Sequence, residues 1–145
     1  MRSSQKITRI HLSVNEHDMP VIFGIVTADP DYKISLYLNK KLNVSLRNSD
    51  PVETQDNKGN AFVFSRFYDA SKAPETIVQL VSNRSQKKFL LKRLKNVDYL
   101  LLLHDTGKYF NPEQVMLQIR EIDSITGVFN IDLKVFKDKN LKYII

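Results

Sequence analysis

Apolar positions along the chain follow two periods, and each period predicts an element. Val21-Ile22-Phe23-Gly24-Ile25-Val26 is an unbroken apolar run of strand length, which predicts a strand covered on both faces. Asp29-Pro30-Asp31 then signals a helix start, with acid near the positive end of the dipole and Pro preset for the first turn. Ile34, Tyr37, Leu38 and Leu42 recur on one face of that helix, and Asn43 closes it. Val44-Ser45-Leu46 reads as a short strand, and the Asn-, Asp- and Pro-rich stretch from Asn48 to Gly59 as a long loop. Ala61 to Tyr68, Thr76 to Val81 and Val97 to Leu103 predict three more strands, the first two joined through Asp69–Pro74. Asn111-Pro112-Glu113-Gln114 predicts a capped second helix whose inner face is Val115, Met116, Ile119 and Ile122. Val128 to Ile131 starts a last strand after Gly127, and Ile10, Leu12 and Val14 suggest an edge strand or arm before the first.

This order, β-α-(β)-β-β-β-α-β, predicts an α+β domain: a mainly antiparallel sheet with two helices on one face. The nearest common arrangement is a ferredoxin-like two-layer sandwich. The whole of residues 1–145 reads as one domain, with 1–19 as a possible N-terminal strand or arm. Either Phe62 and Phe64 or the opposite set, Val63 and Ser65, is expected to face the helices and lie mostly buried.

Composition narrows the chemistry. A 145-residue chain with 42% hydrophobic and 26% charged residues is an ordinary globular domain. It has no cysteine, which excludes disulfides, thiolate catalysis, zinc fingers and iron–sulfur clusters. The longest aliphatic run, Leu100 to Leu103, is far too short to cross a membrane, and no apolar leader follows Met1. The expected setting is therefore soluble and cytoplasmic.

Charge supplies the sharpest feature. The net charge is +6. Arg84, Lys87, Lys88, Lys92, Arg93 and Lys95 lie between residues 82 and 96 with no acid among them, and bases and acids balance in the rest of the chain. Such a run is either solvated surface or a binding site for an anionic partner: an acidic protein, nucleic acid or anionic lipid.

Catalytic patterns are lacking. His11, His17 and His104 have no metal-site spacing, so no metal or cofactor is expected. His104 and Asp105 are adjacent on a strand, so they should face opposite ways and fail as a base and its orienting acid. Asp105-Thr106-Gly107-Lys108 lacks the first Gly and the closing Ser/Thr of a phosphate loop and reads as a connection. Lys58-Gly59-Asn60-Ala61-Phe62-Val63-Phe64-Ser65 approaches an RNA-recognition strand but misses two of its aromatic positions, at Asn60 and Ser65.

Ordered segments also carry a family resemblance. They are Asp31-Tyr32-Lys33-Ile34 through Leu38-Asn39-Lys40, Gln79 to Ser85, Val97-Asp98-Tyr99, and Phe129 to Leu133 with the Lys-rich tail. Over roughly residues 20–145 the chain resembles the IPExxxVDY family, small proteins of Bacteroidota with no established activity. The first half of the signature is altered here, with Leu91-Lys92-Arg93 in place of Ile-Pro-Glu. Without that Pro, residues 86–96 suit either a short helix or a strand turn. The resemblance implies a cytoplasmic housekeeping setting, with genes near those for acyl carrier protein, ribonuclease III and pyruvate kinase.

The functional expectation is a non-enzymatic protein-interaction module. Its site would be Arg84, Lys87, Lys88, Lys92, Arg93 and Lys95, and its partner an acidic protein such as acyl carrier protein. The alternative is an RNA-associated accessory protein using the same cations with Phe62 and Phe64. A small-ligand sensor or an enzyme of unrecognised type stands behind both.

Overall fold

A computed structural model describes residues 19–145. The arm expected over 1–19 lies, but for its last residue, outside the described residues, as do His11 and His17. Strands β1 (Val21–Thr27), β2 (Arg47–Gln55), β3 (Ala61–Lys72), β4 (Thr76–Ser82), β7 (Tyr99–Asp105) and β8 (Ile125–Ile131) form one sheet in the order β2-β3-β4-β7-β1-β8. Every pairing in it is antiparallel. A separate two-stranded ribbon joins β5 (Arg84–Ser85) to β6 (Lys88–Phe89). The protein is therefore α+β with a mainly antiparallel sheet, and helices α1 (Asp31–Leu42) and α2 (Pro112–Arg120) pack on one face of it.

The helix ends follow the local chemistry. Asn111 Oδ1 accepts the Gln114 N–H at 3.1 Å, with Pro112 in the first turn. Asn43 ends α1 in the left-handed region, at φ 55°. Ile34, Leu38 and Leu42 are buried under α1, but Tyr37 sits at its rim, and Ser35 takes the inner position, its hydroxyl donating to Tyr32 O.

Two apolar layers sandwich the sheet. On the helical side Phe23, Ile25, Phe67, Leu101 and Leu103 meet Ile34, Leu38, Val115 and Ile119. On the other side Ile22, Phe64, Val81, Leu100 and Leu102 meet Leu90, Leu91, Val97, Leu141 and Ile144. That second cover has little regular structure: a loop running from β6 to β7 and a C-terminal tail ending in a 3-10 turn over Lys139–Tyr143.

Three sequence expectations change here. Most of the expected loop from Asn48 to Gly59 is strand β2, and the expected short strand Val44–Leu46 is the connection leading into it, with Val44 and Leu46 buried. β2 is an edge strand, where Pro51 is tolerated beside a bulge between Ser49 and Val52. Its buried residues, Val52 and Thr54, keep the period of two that Asp50 and Glu53 obscure. Phe62 and Phe64 turn away from the helices into the second layer, while Val63, of the opposite set, is 49% exposed because neither helix reaches that end of β3. Of the two alternatives left open for residues 86–96, the structure takes the turn: the chain reverses at Gln86, φ 56°, and continues in turns after β6.

Candidate interaction surface

The basic segment is built on one buried side chain, Asn83, which is 0% exposed. Its Nδ2 donates to Leu94 O at 2.8 Å and Val97 O at 2.9 Å, and its Oδ1 accepts from Leu91 N at 2.8 Å. Its backbone N–H donates to Asp98 O, and its carbonyl accepts from Leu90 N. Residues 90–97 lack the hydrogen bonds of a helix or sheet, and Asn83 supplies replacements. Asn140 adds another from the tail, donating to Leu90 O at 2.7 Å. Leu90 and Leu91 are then fully buried and Leu94 partly so.

With the leucines inward, the charged heads point out. Arg84, Lys87, Lys88, Lys92, Arg93 and Lys95 are all exposed. Arg84 is committed locally: its Nε pairs with Asp98 Oδ1 at 2.6 Å, an Nη donates to Lys95 O, and its guanidinium lies 5.1 Å from the centre of the Phe89 ring. Among the described residues none of the other five makes an ion pair.

Lys88 and Lys92 rim a pocket of about 90 Å³ between this segment, the β2–β3 hairpin and the tail. Phe62 and Phe89 line it, Lys88 Nζ lies 5.6 Å from the Phe62 ring centre, and Lys139 joins the rim from the tail. Asp56 is the acid on that rim. Hydrogen bonds from Asn60, first its side chain and then its backbone N–H, hold the Asp56 carboxyl below its ordinary range. That carboxylate also organises the hairpin turn, where Gly59 takes φ 83°. Lys58-Gly59-Asn60, which resembled part of an RNA-recognition strand, is thus a turn, and Phe64, 1% exposed, is sealed from any base.

Lys139 has no local signal in the sequence, because it reaches the segment only through the fold. Val97, Asp98 and Tyr99, from the resemblance, are structural. Val97 packs against Gly24, where an added Cβ would come within 3.0 Å of Val97 Cγ2. Asp98 accepts Thr27 N with Oδ2 and pairs with Arg84 through Oδ1. Tyr99 donates its hydroxyl to Asp29 O at 2.7 Å. Burial first, then the nearby carboxylates of Asp31, Asp98 and Asp29, push the Tyr99 pKa up to about 12.

The residues weighed for catalysis are also occupied. Asp105 accepts from Thr76 Oγ1, Tyr109 N and Phe110 N, which ties down the loop before α2. His104 faces the second layer, 3.1 Å from Gln79 Nε2, which also donates to Ile144 O. Burial lowers the His104 pKa. Among the described residues no cluster of three or more His or acidic groups could hold a metal, and no helix is long and apolar enough to cross a membrane. Comparison with protein-family models, curated proteins and solved structures finds no match to the chain.

Proposed function

We propose that this protein is a non-enzymatic interaction module that recognises an acidic protein through the surface at 84–95. The observation that carries this reading is the combination of fixed backbone and free charge. Lys92, Arg93 and Lys95, exposed and without an acid partner among the described residues, stand on a loop locked by Asn83, Leu90 and Leu91, and the β5–β6 ribbon beside it adds Lys87 and Lys88, the latter within the field of Asp56. A locked loop loses little entropy on binding, and unpaired cations attract an anionic partner over a distance set by salt. The small pocket beside them supports the same reading by setting the Phe62 and Phe89 rings next to the charge in a mixed polar and apolar lining.

The order β8-β1-β7-β4, with α1 and α2 on one side, supports a ferredoxin-like core into which the β2–β3 hairpin is inserted. The ordered sequence segments from Asp31 to the Lys-rich tail are the ground for proposing membership of the IPExxxVDY family, and with it a cytoplasmic setting. Of the two rings expected to stack bases, Phe64 is buried and Phe62 is partly covered, which favours a protein partner.

The test is calorimetric titration of the full chain with acyl carrier protein, as a small acidic probe, and with a random single-stranded RNA at low salt. Saturable binding of the protein with weaker binding of the RNA is expected. Binding of the RNA alone, or of neither, would overturn the proposal.

A further inference from the structure

The cations of the basic run are not all in one place. Of the six, only Lys88 and Lys92 line the pocket of about 90 Å³ beside the β2–β3 hairpin. Lys139 reaches the same pocket from the tail, far outside the run. All three lysines are exposed, and among the described residues none of them makes an ion pair. Three ammonium groups therefore gather around a cavity with room for one side chain. An anion entering it relieves their mutual repulsion.

Two further features narrow the occupant. The rings of Phe62 and Phe89 line the pocket too, and Lys88 Nζ lies 5.6 Å from the centre of the Phe62 ring. A lining that is apolar and cationic together suits a group with an aliphatic stem and an anionic end. Asp56 stands on the rim, and hydrogen bonds from the Asn60 side chain and backbone N–H keep its carboxyl ionised. That charge opposes a phosphate dianion more than a single carboxylate, and a phosphate brings no stem for the rings. The segment before Met19 does not supply the anion, since Arg2, Lys6 and Arg9 outnumber Glu16 and Asp18 in it.

We propose that this pocket seats a glutamate side chain of the partner, its carboxylate among Lys88, Lys92 and Lys139 and its methylenes on the Phe62 and Phe89 rings. The inference rests on the reading of 84–95 as a surface for an acidic protein. It adds the side chain that is recognised and a cation from outside the run. Aspartate is recognised less well, because its stem is one methylene shorter and covers less of the rings.

The probes are deca-glutamate and deca-aspartate, equal in charge and one methylene per residue apart, titrated into the full chain at low salt. Deca-glutamate should bind at least about twofold tighter, the effect of a partly buried methylene. Lys139→Gln should weaken deca-glutamate about threefold, and Lys95→Gln, in the run but not lining the pocket, should weaken it less. Phe89→Ala should erase the preference for glutamate, with melting as the check on its fold. Lys139→Gln, at an exposed position, decides the matter if Phe89→Ala does not fold. Equal binding of the two peptides, or wild-type binding by Lys139→Gln, overturns the glutamate seat and leaves the wider reading of the cations standing. Binding of neither peptide overturns both. Displacement of deca-glutamate by inorganic phosphate, beyond that by chloride at the same ionic strength, gives the pocket to a phosphate group and overturns the seat.

Discussion

Asn83 does more for the candidate surface than any of the cations it supports. Replacing it with Ala leaves the Val97 carbonyl and the Leu91 N–H without partners and takes one of two bonds from the Leu94 carbonyl, which keeps Val97 N–H. Asn83→Ala should lower stability by about 2–4 kcal/mol, from the cost of unsatisfied buried groups. Chemical denaturation measures it, and a loss below about 0.5 kcal/mol would mean that the loop holds without this residue. His104 carries a second prediction at this scale. Its pKa is lowered in the fold from an ordinary value of 6.5. The unfolded chain therefore takes up a proton more readily as pH falls. Its contribution to stability is full above pH 6.5 and is lost as pH drops toward the lower folded value. Melting temperature followed from neutral to mildly acid pH should fall below that point, and His104→Gln should flatten the fall. Parallel curves for the two proteins would assign the acid sensitivity elsewhere.

At the scale of elements, the C-terminal tail works as the second cover of the sheet. Leu141 and Ile144 are buried against the face opposite the helices, and Gln79 holds the tail by donating to Ile144 O. Leu141→Ala should cost about 2–4 kcal/mol, as for other large-to-small core changes, and a near-neutral result in denaturation would contradict the covering role. The second helix gives a smaller test: Asn111→Ala should cost about 0.5–2 kcal/mol through loss of the cap to Gln114. Elements with local signals were legible in the chain. The Asn111-Pro112 start, the Asn43 stop and the apolar runs of β1, β4 and β7 carry their own period or cap. β2 was hidden because its edge position admits Pro51 and charges, so its pattern resembles a loop. The tail was hidden because short turns and a few spaced apolar residues have no period; its structure depends on the sheet it covers.

At the scale of the whole molecule, the surface combines a linear feature with a folded one. The six cations were legible because they cluster in one short stretch of the sequence, with no acid among them. Their support was not: Asn83 lies before the segment, and Lys139 and Asn140 come from some fifty residues beyond Leu90. The orientation of Phe62 and Phe64 was equally hidden, since alternation along β3 fixes which residues share a face but not which face the helices take. The central claim is that the unpaired charge on this fixed loop recognises an anionic partner. Arg84 is left out of the test because it holds Asp98. The most direct measurement titrates acyl carrier protein into the wild-type chain and into the combined Lys88→Gln, Lys92→Gln, Arg93→Gln, Lys95→Gln variant, between about 25 and 300 mM salt. Melting should be unchanged, binding by the variant should be at least about tenfold weaker at low salt, and the two proteins should converge as salt rises. Equal binding by both proteins at every salt concentration would contradict the account and leave the run as solubilising surface.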